Sequence, residues 1–152
     1  MDLKNNKGFV GIDISIAVIV LLILVPTIMG IVFNINSTQN VADIKTEAMN
    51  IAINALEAAK GLGLQGLNSA EEGKEEKSII DEMKLMYSFS EANDNSMVIT
   101  TSKASYRLVV TVKDYSEDHE GADRGIIKTV TASVTYKAKG EEKTLDLSTV
   151  IK

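Results

Sequence analysis

One acidic residue, Asp13, lies in an otherwise apolar stretch of the sequence. Of the 27 residues from Phe9 to Ile35, 20 are Ala, Val, Ile, Leu, Met or Phe, and Asp13 is the only one with an ionisable side chain. An ionised carboxylate at the centre of a membrane helix costs about 2.5 to 3.5 kcal/mol, so such groups usually face a protein partner or water. Asp13 therefore needs either a cation from another chain or a place in the lipid headgroup region beside Lys7.

A second set of acidic residues surrounds His119, the only histidine of the chain. The polar stretch around it carries Asp114, Asp118, Glu120 and Asp123, whose oxygens are the ligand type that calcium prefers. The spacing does not match an EF-hand, which needs acids at alternate positions and a glutamate at the end of the loop. These four residues are a calcium hypothesis that rests on ligand type alone, and His119 is expected to be exposed.

Most other chemistry is excluded by composition or lacks a motif. The chain has no cysteine, which excludes disulfide frameworks, thiol catalysis and cysteine-bound zinc or iron–sulfur sites. Its net charge of −5 argues against a nucleic-acid partner held by phosphate neutralisation. The letters G-x-G-x-x-G occur from Gly61 to Gly66. A dinucleotide-binding motif follows a strand, whereas these glycines follow a predicted helix. We therefore expect neither an enzyme nor a cofactor.

The apolar stretch is long enough to cross a membrane. Its longest uncharged run, Ile14 to Ile35, has 22 residues. A helix of that length reaches about 33 Å, against about 30 Å for the core of a bilayer. Lys4 and Lys7 precede the run, and no Lys or Arg follows before Lys45. The positive-inside rule therefore predicts a single-pass membrane protein with a cytoplasmic N-terminus and with residues 36–152 outside the cytoplasm.

The start of the chain carries a recognisable combination of residues. A short polar leader, Met1 to Gly8, contains Lys4 and Lys7 and is followed by Phe9, and Asp13 is the fifth residue after Gly8. This pattern resembles the leader of type IV prepilins and pseudopilins, over about residues 4 to 35. In that family a membrane-embedded prepilin peptidase cuts after the glycine and leaves an apolar residue, commonly phenylalanine, at the new N-terminus. The family usually has glutamate where this chain has Asp13.

The resemblance implies a processing site and a set of partners. The implied cut lies between Gly8 and Phe9, and the new amine of Phe9 on one subunit would pair with Asp13 on its neighbour, which would fix the axial register between subunits. The implied partners are the prepilin peptidase, sister subunits in a homo- or hetero-filament, an assembly ATPase with its membrane platform proteins, and the lipid bilayer before assembly. The predicted domains are a leader at 1–8, a transmembrane and assembly helix at 9–35, and an extracytoplasmic pilin-like α+β domain at 36–152.

Two residues predict a weak point in the apolar helix. Pro26, the only proline, lacks a backbone donor and clashes with the carbonyl of Leu22, so we expect a kink or local opening there. Gly30 adds a second weak point. In the family that the leader resembles, a proline in this stretch lets part of the helix loosen when subunits pack, whereas an ordinary membrane helix simply tolerates it.

Beyond the apolar stretch, the pattern predicts an amphipathic helix. Apolar residues recur at spacings of three and four: Val41, Ile44, Ala48, Ile51, Ala55 and Ala58. No proline separates this pattern from the apolar stretch, so we expect one continuous helix from Phe9 to Ala59. The alternative is a break at Asn34–Asn36, with Ser37 or Thr38 as the cap of a new helix.

After residue 60 the pattern changes. Glycines at 61 and 63 are expected to end the helix, followed by a loop over 61–73 and a second helix over 74–88. The glutamates at the start of that second helix, including Glu75 and Glu76, are expected to be solvated. Alternating apolar residues then predict four strands, around 97–101, 106–113, 130–136 and 145–151. The predicted fold class is α+β: a long N-terminal helix packed on a C-terminal antiparallel sheet of about four strands.

These features together predict a structural subunit of a type IV pilus or of a type II secretion-like pseudopilus. Such a subunit is cut after Gly8, assembles through its N-terminal helix and ends at the cell surface or in a filament. One alternative is an uncleaved, single-pass, signal-anchored extracellular binding domain. A second is an anchored enzyme that uses the acidic loop residues. A mature N-terminus at Phe9 would indicate the subunit, and an intact leader would indicate one of the alternatives.

Overall fold

A computed structural model describes residues 6–69, 74–114 and 127–152, with side chains from Asp13 onward in the first range and up to Asn68. Two helices precede five strands in this α+β chain. Their bounds are α1 Asn6–Ser69, α2 Glu75–Met86, β1 Phe89–Ala92, β2 Ser96–Thr100, β3 Ser105–Asp114, β4 Lys128–Ala138 and β5 Glu141–Ile151. The chain divides into two compact units, Met1–Asn40 and Val41–Lys152.

The long first helix is continuous across residues 34–36, which confirms the prediction of one helix and excludes the break predicted as the alternative. Among the described residues of α1, only Gly63 leaves helical backbone angles, with φ 63° and ψ −178°. The positive φ suits glycine, which has no Cβ. The predicted loop over 61–73 is wrong for residues 61–69, which lie in α1 with a local departure at Gly63, and residues 70–73 lie outside the described residues. The reason is packing: Leu67 beyond the glycine is fully buried in the domain core.

The second unit contains a fully antiparallel sheet with strand order β1-β2-β3-β4-β5. The central pair β3 and β4 runs in unbroken register from Tyr106 opposite Tyr136 to Asp114 opposite Lys128. Lys139 and Gly140, both with positive φ, make the tight turn between β4 and β5. The sheet has one strand more than predicted. The sequence did not predict β1, because this strand is four residues long, largely exposed and without alternating apolar residues.

The hydrophobic core of the second unit joins three layers. The predicted amphipathic face of α1 is confirmed, since Ile44, Ala48, Ile51, Ala55 and Ala58 are buried. From α2, which begins and ends within two residues of its predicted bounds, the buried residues are Ile79, Ile80 and Met83. The sheet contributes the inward residues of the central strands, among them Leu108, Val110, Val130 and Val134. This unit therefore buries its own apolar surface.

A polar contact near one end of the sheet ties α1 to it. The hydroxyl of Tyr106 donates a hydrogen bond of 2.6 Å to Oε2 of Glu47, and the hydroxyl of Thr101 donates one of 3.2 Å to the same oxygen. Burial of Tyr106, together with the hydrogen bond and negative charge of Glu47, raises the pKa of the Tyr106 hydroxyl above its ordinary value. Nearby, Lys103 and Asp43 form an exposed ion pair of 3.1 Å. These contacts orient α1 on the sheet within this unit.

Candidate functional site: the apolar segment of the first helix

The first unit carries an unusually large exposed apolar surface. From Ile14 to Ile35, the exposed fraction of the large apolar side chains ranges from 44% at Val25 to 71% at Phe33. Contiguous apolar surfaces of this kind mark contact with a membrane or with protein partners. In the part of the chain that the structure describes, this is the one helix long and apolar enough to cross a membrane. We call residues 14–35 the apolar segment.

The predicted processing and pairing residues lie together at the start of this helix. Gly8 and Phe9 fall within α1, which begins at Asn6, while most of the predicted leader, residues 1–5, lies outside the described residues. Asp13 is exposed and pairs with no cation among the described residues. Whether its partner is a cation on a neighbouring subunit or the headgroup region beside Lys7 stays a prediction, since the side chain of Lys7 lies outside the described residues.

The two predicted weak points both lie inside α1. Pro26 leaves the carbonyl of Leu22 without its usual backbone donor. At the next residue, the hydroxyl of Thr27 donates a hydrogen bond of 2.7 Å to the carbonyl of Ile23. A Cβ at Gly30 would meet no atom within 4 Å, so no neighbouring side chain of this unit packs there. The backbone angles at both residues are helical, and a kink stays a prediction.

The calcium hypothesis falls mostly on residues whose structure is not described. Asp118, Glu120 and Asp123, with His119, lie outside the described residues. Asp114 is described at the end of β3, where its carboxylate lies 3.8 Å from Nζ of Lys128. Within 13–68, 74–114 and 127–152, no three acidic or histidine side chains form a group that could hold a metal ion.

An ionic cluster that the sequence patterns did not predict lies where α2 begins. Lys128 is the buried charged residue of the described chain, and its Nζ lies 3.1 Å from Oε1 of Glu75. Its neighbour Glu76 accepts a hydrogen bond of 2.9 Å from the backbone N–H of Val112. The expectation that these glutamates are solvated is therefore wrong. The signal was present, because Lys128 is two residues before Val130 and so shares the inward face of β4.

A groove lies between the second half of α1 and α2. It has a volume of about 400 Å³ and is lined by Asn54, Glu57, Ala58, Gly61, Leu62, Glu82 and Met86. Its carboxylates make no ion pair among the described residues, and Asn54 donates a hydrogen bond of 2.5 Å to the hydroxyl of Tyr87. The groove therefore presents the two carboxylates and the carboxamide of Asn54 beside apolar side chains.

No model of a protein family matches this chain, and no curated protein or solved structure matches it. The resemblance to prepilins therefore rests on the leader residues themselves.

Proposed function

We propose that this chain is a structural subunit of a type IV pilus or of a type II secretion-like pseudopilus, processed after Gly8 and assembled through α1. The observation that carries the proposal is the apolar segment. Its large side chains are all exposed, although the second unit of the same chain buries a complete core. In the proposed function, these side chains are covered by lipid before assembly and by sister subunits afterwards.

The position of Asp13 favours assembly over simple anchoring. A plain membrane anchor has no need of an acid at the start of its apolar helix, although the headgroup region beside Lys7 could accommodate one. In an assembly, the amine of Phe9 released by cleavage gives that acid a partner on the next subunit. A charge pair in apolar surroundings can specify register between helices, because any axial shift leaves both charges unpaired.

The proposed route defines location and partners. The chain inserts once into the cell membrane with its N-terminus in the cytoplasm, which follows the positions of Lys4 and Lys7. A prepilin peptidase removes residues 1–8 on that side. An assembly ATPase and membrane platform proteins then move the mature subunit into a homo- or hetero-filament, where the domain from Val41 onward faces outward at the cell surface.

Co-expression of the full chain with a prepilin peptidase tests the proposal. Mass spectrometry should find a mature N-terminus at Phe9, and Gly8→Ala should abolish that product. Gly11→Ala is the matched control, because it changes a glycine three residues away without touching the cut. Asp13→Ala should be processed normally but should fail to enter filaments. An intact leader on monomeric protein would refute the proposal.

The alternative of an uncleaved, signal-anchored binding domain is favoured by a different observation. Glu57, Glu82 and the exposed Met86 line the groove between α1 and α2, and neither carboxylate forms an ion pair with another described residue. Such a surface suits a basic, partly apolar ligand. The N-terminus found by mass spectrometry decides between this function and the proposed one.

A further inference from the structure

Four polar side chains of the first unit share one side of α1. Thr27, Asn34 and Thr38 follow Asp13 by 14, 21 and 25 residues. At 3.6 residues per turn, these spacings place all four within a sector of about 60° around the helix axis. We call these four residues the polar stripe. Asn36 lies about 160° from Asn34, on the opposite side of the helix.

The polar stripe has unused hydrogen-bonding capacity. The hydroxyl of Thr27 donates to the carbonyl of Ile23, and that of Thr38 donates to the carbonyl of Asn34 over 2.9 Å. Both hydroxyl oxygens can therefore still accept a hydrogen bond. The carboxamide of Asn34 offers two donor hydrogens and an acceptor oxygen, and it makes no hydrogen bond within the described residues.

The surroundings of Asn34 are apolar. Ile31 and Ile35 are exposed beside it, and the two isoleucines line a shallow groove on the helix surface together with Asn34, Thr38 and Gln39. When apolar helices pack together, water is removed from such a site, and side-chain amides and hydroxyls then hydrogen-bond between helices. A carboxamide can hydrogen-bond to the same carboxamide on a second chain, since it both donates and accepts hydrogen bonds.

We propose that the polar stripe is the side of α1 that contacts α1 of a second copy of this chain, and that the carboxamide of Asn34 hydrogen-bonds to an amide or hydroxyl on the stripe of that copy. This inference rests on the proposed function and adds which side of the helix meets the neighbour. It also agrees with the pairing proposed for Asp13, because Asp13 and Asn34 lie on the same side and can face a sister subunit together.

Thiol labelling tests which side is covered. The natural chain has no cysteine, so Asn34→Cys and Asn36→Cys each introduce a single reactive group. Both variants are co-expressed with prepilin peptidase and treated with a membrane-impermeant maleimide, once as assembled protein and once after dissociation in detergent. The Asn34→Cys variant should lose most of its labelling on assembly, and the Asn36→Cys variant should keep it. Equal labelling of the two variants in the assembled state would overturn the proposed face.

A second pair of variants tests the hydrogen bond. Asn34→Leu removes the amide and keeps a side chain of similar size, and Asn36→Leu is the control for added apolar surface. We expect Asn34→Leu to dissociate at a lower detergent concentration than wild type, and Asn36→Leu to match wild type or exceed it. Unchanged dissociation of Asn34→Leu would overturn the hydrogen bond.

Processing and sedimentation measured on the same samples separate the two proposals. Processed filaments in which position 34 stays reactive would overturn this inference and leave the proposed function standing. Monomers with an intact leader would overturn both.

Discussion

The two units of this chain use the same apolar residue types in opposite ways. In the apolar segment, Ile19 is 57% exposed and Leu22 is 66% exposed. In the domain from Val41 onward, Ile51, Ile79 and Ile80 are completely buried. Both sets lie on helices, and both are aliphatic. The difference is that, within the second unit, α1 packs against a sheet and a second helix.

This contrast shows which part of the chain is complete by itself. The domain satisfies its apolar surface internally and also pairs its buried cation, Lys128. The large side chains of the apolar segment are exposed, and under the proposed function they are covered by lipid or by sister subunits. Stability and function should therefore separate: substitutions in the domain should change unfolding, and substitutions in the apolar segment should change insertion and assembly.

The largest expected effect is a change of compartment. A truncated chain starting at Val41 keeps every buried residue of the core, including those of α1. We expect it to fold as a water-soluble domain with a cooperative unfolding transition, because its core does not involve the apolar segment. Fractionation and circular dichroism check this. A truncated chain that aggregates or lacks a cooperative transition would show that the two units are not independent.

A matched pair of isoleucines gives the next largest effect. Ile51→Ala should lower the free energy of unfolding by about 3 kcal/mol, because it leaves a cavity in the core. Ile19→Ala should leave the unfolding of the domain unchanged. Tyrosine fluorescence during urea unfolding in detergent measures this selectively, since all 4 tyrosines lie beyond residue 41. Equal losses from both substitutions would contradict the contrast between the units.

The ionic cluster at the start of α2 should matter less than the core. Lys128→Ala is expected to lower the free energy of unfolding by about 2 kcal/mol, because it removes a largely buried, charged hydrogen bond to the carboxylate of Glu75. Lys143→Ala is the control, because its contact with Glu141 is exposed and 4.0 Å long. Urea unfolding of both variants compares the two pairs. A cost for Lys143→Ala equal to that for Lys128→Ala would show that burial is not the reason.

The smallest expected effect concerns Tyr106 and depends on pH. Tyr106→Phe should cost about 1 kcal/mol near neutral pH through the lost hydrogen bond to Glu47. The raised pKa of Tyr106 means that the folded state holds the phenol proton at a pH where the unfolded state, with its pKa near 10, releases it. This contribution to stability is therefore complete below about pH 10 and falls as the pH rises further. Wild type should lose stability above pH 10 more steeply than Tyr106→Phe, and parallel curves would exclude this linkage.

The sequence predicts periodic features of this fold better than it predicts local exceptions. The amphipathic face of α1, the second helix and the four longer strands follow from apolar spacing, and the structure confirms them. Strand β1 escapes prediction because Phe89–Ala92 is short and exposed and so carries no period. The resumption of α1 after Gly63 also escapes prediction, because a glycine indicates a break but not the conformation of the residues beyond it.

The candidate site divides along similar lines. Gly8, Phe9 and Asp13 are recognised by their positions relative to one another in the leader pattern. Their roles in processing and pairing stay predictions. Contacts between distant parts of the chain, such as Lys128 with Glu75, depend on the fold, and the sequence offers only the inward phase of Lys128 as a hint. Asn34 belongs to no periodic pattern in the sequence. It is proposed as a contact residue only because the helix places it on the same side of α1 as the other residues of the polar stripe.

Strand β5 is an edge strand of the sheet, and the backbone N–H and C=O groups on its outer side have no partner strand among the described strands. Domains that are held close together can pair through exposed edge strands and aggregate. Charged, exposed side chains lie along this edge strand: Glu141, Glu142, Lys143 and Asp146. Charges on an edge strand disfavour the addition of another strand. In the proposed filament, crowded domains would therefore stay separate proteins, and the growth of the polymer would be governed by the helices alone.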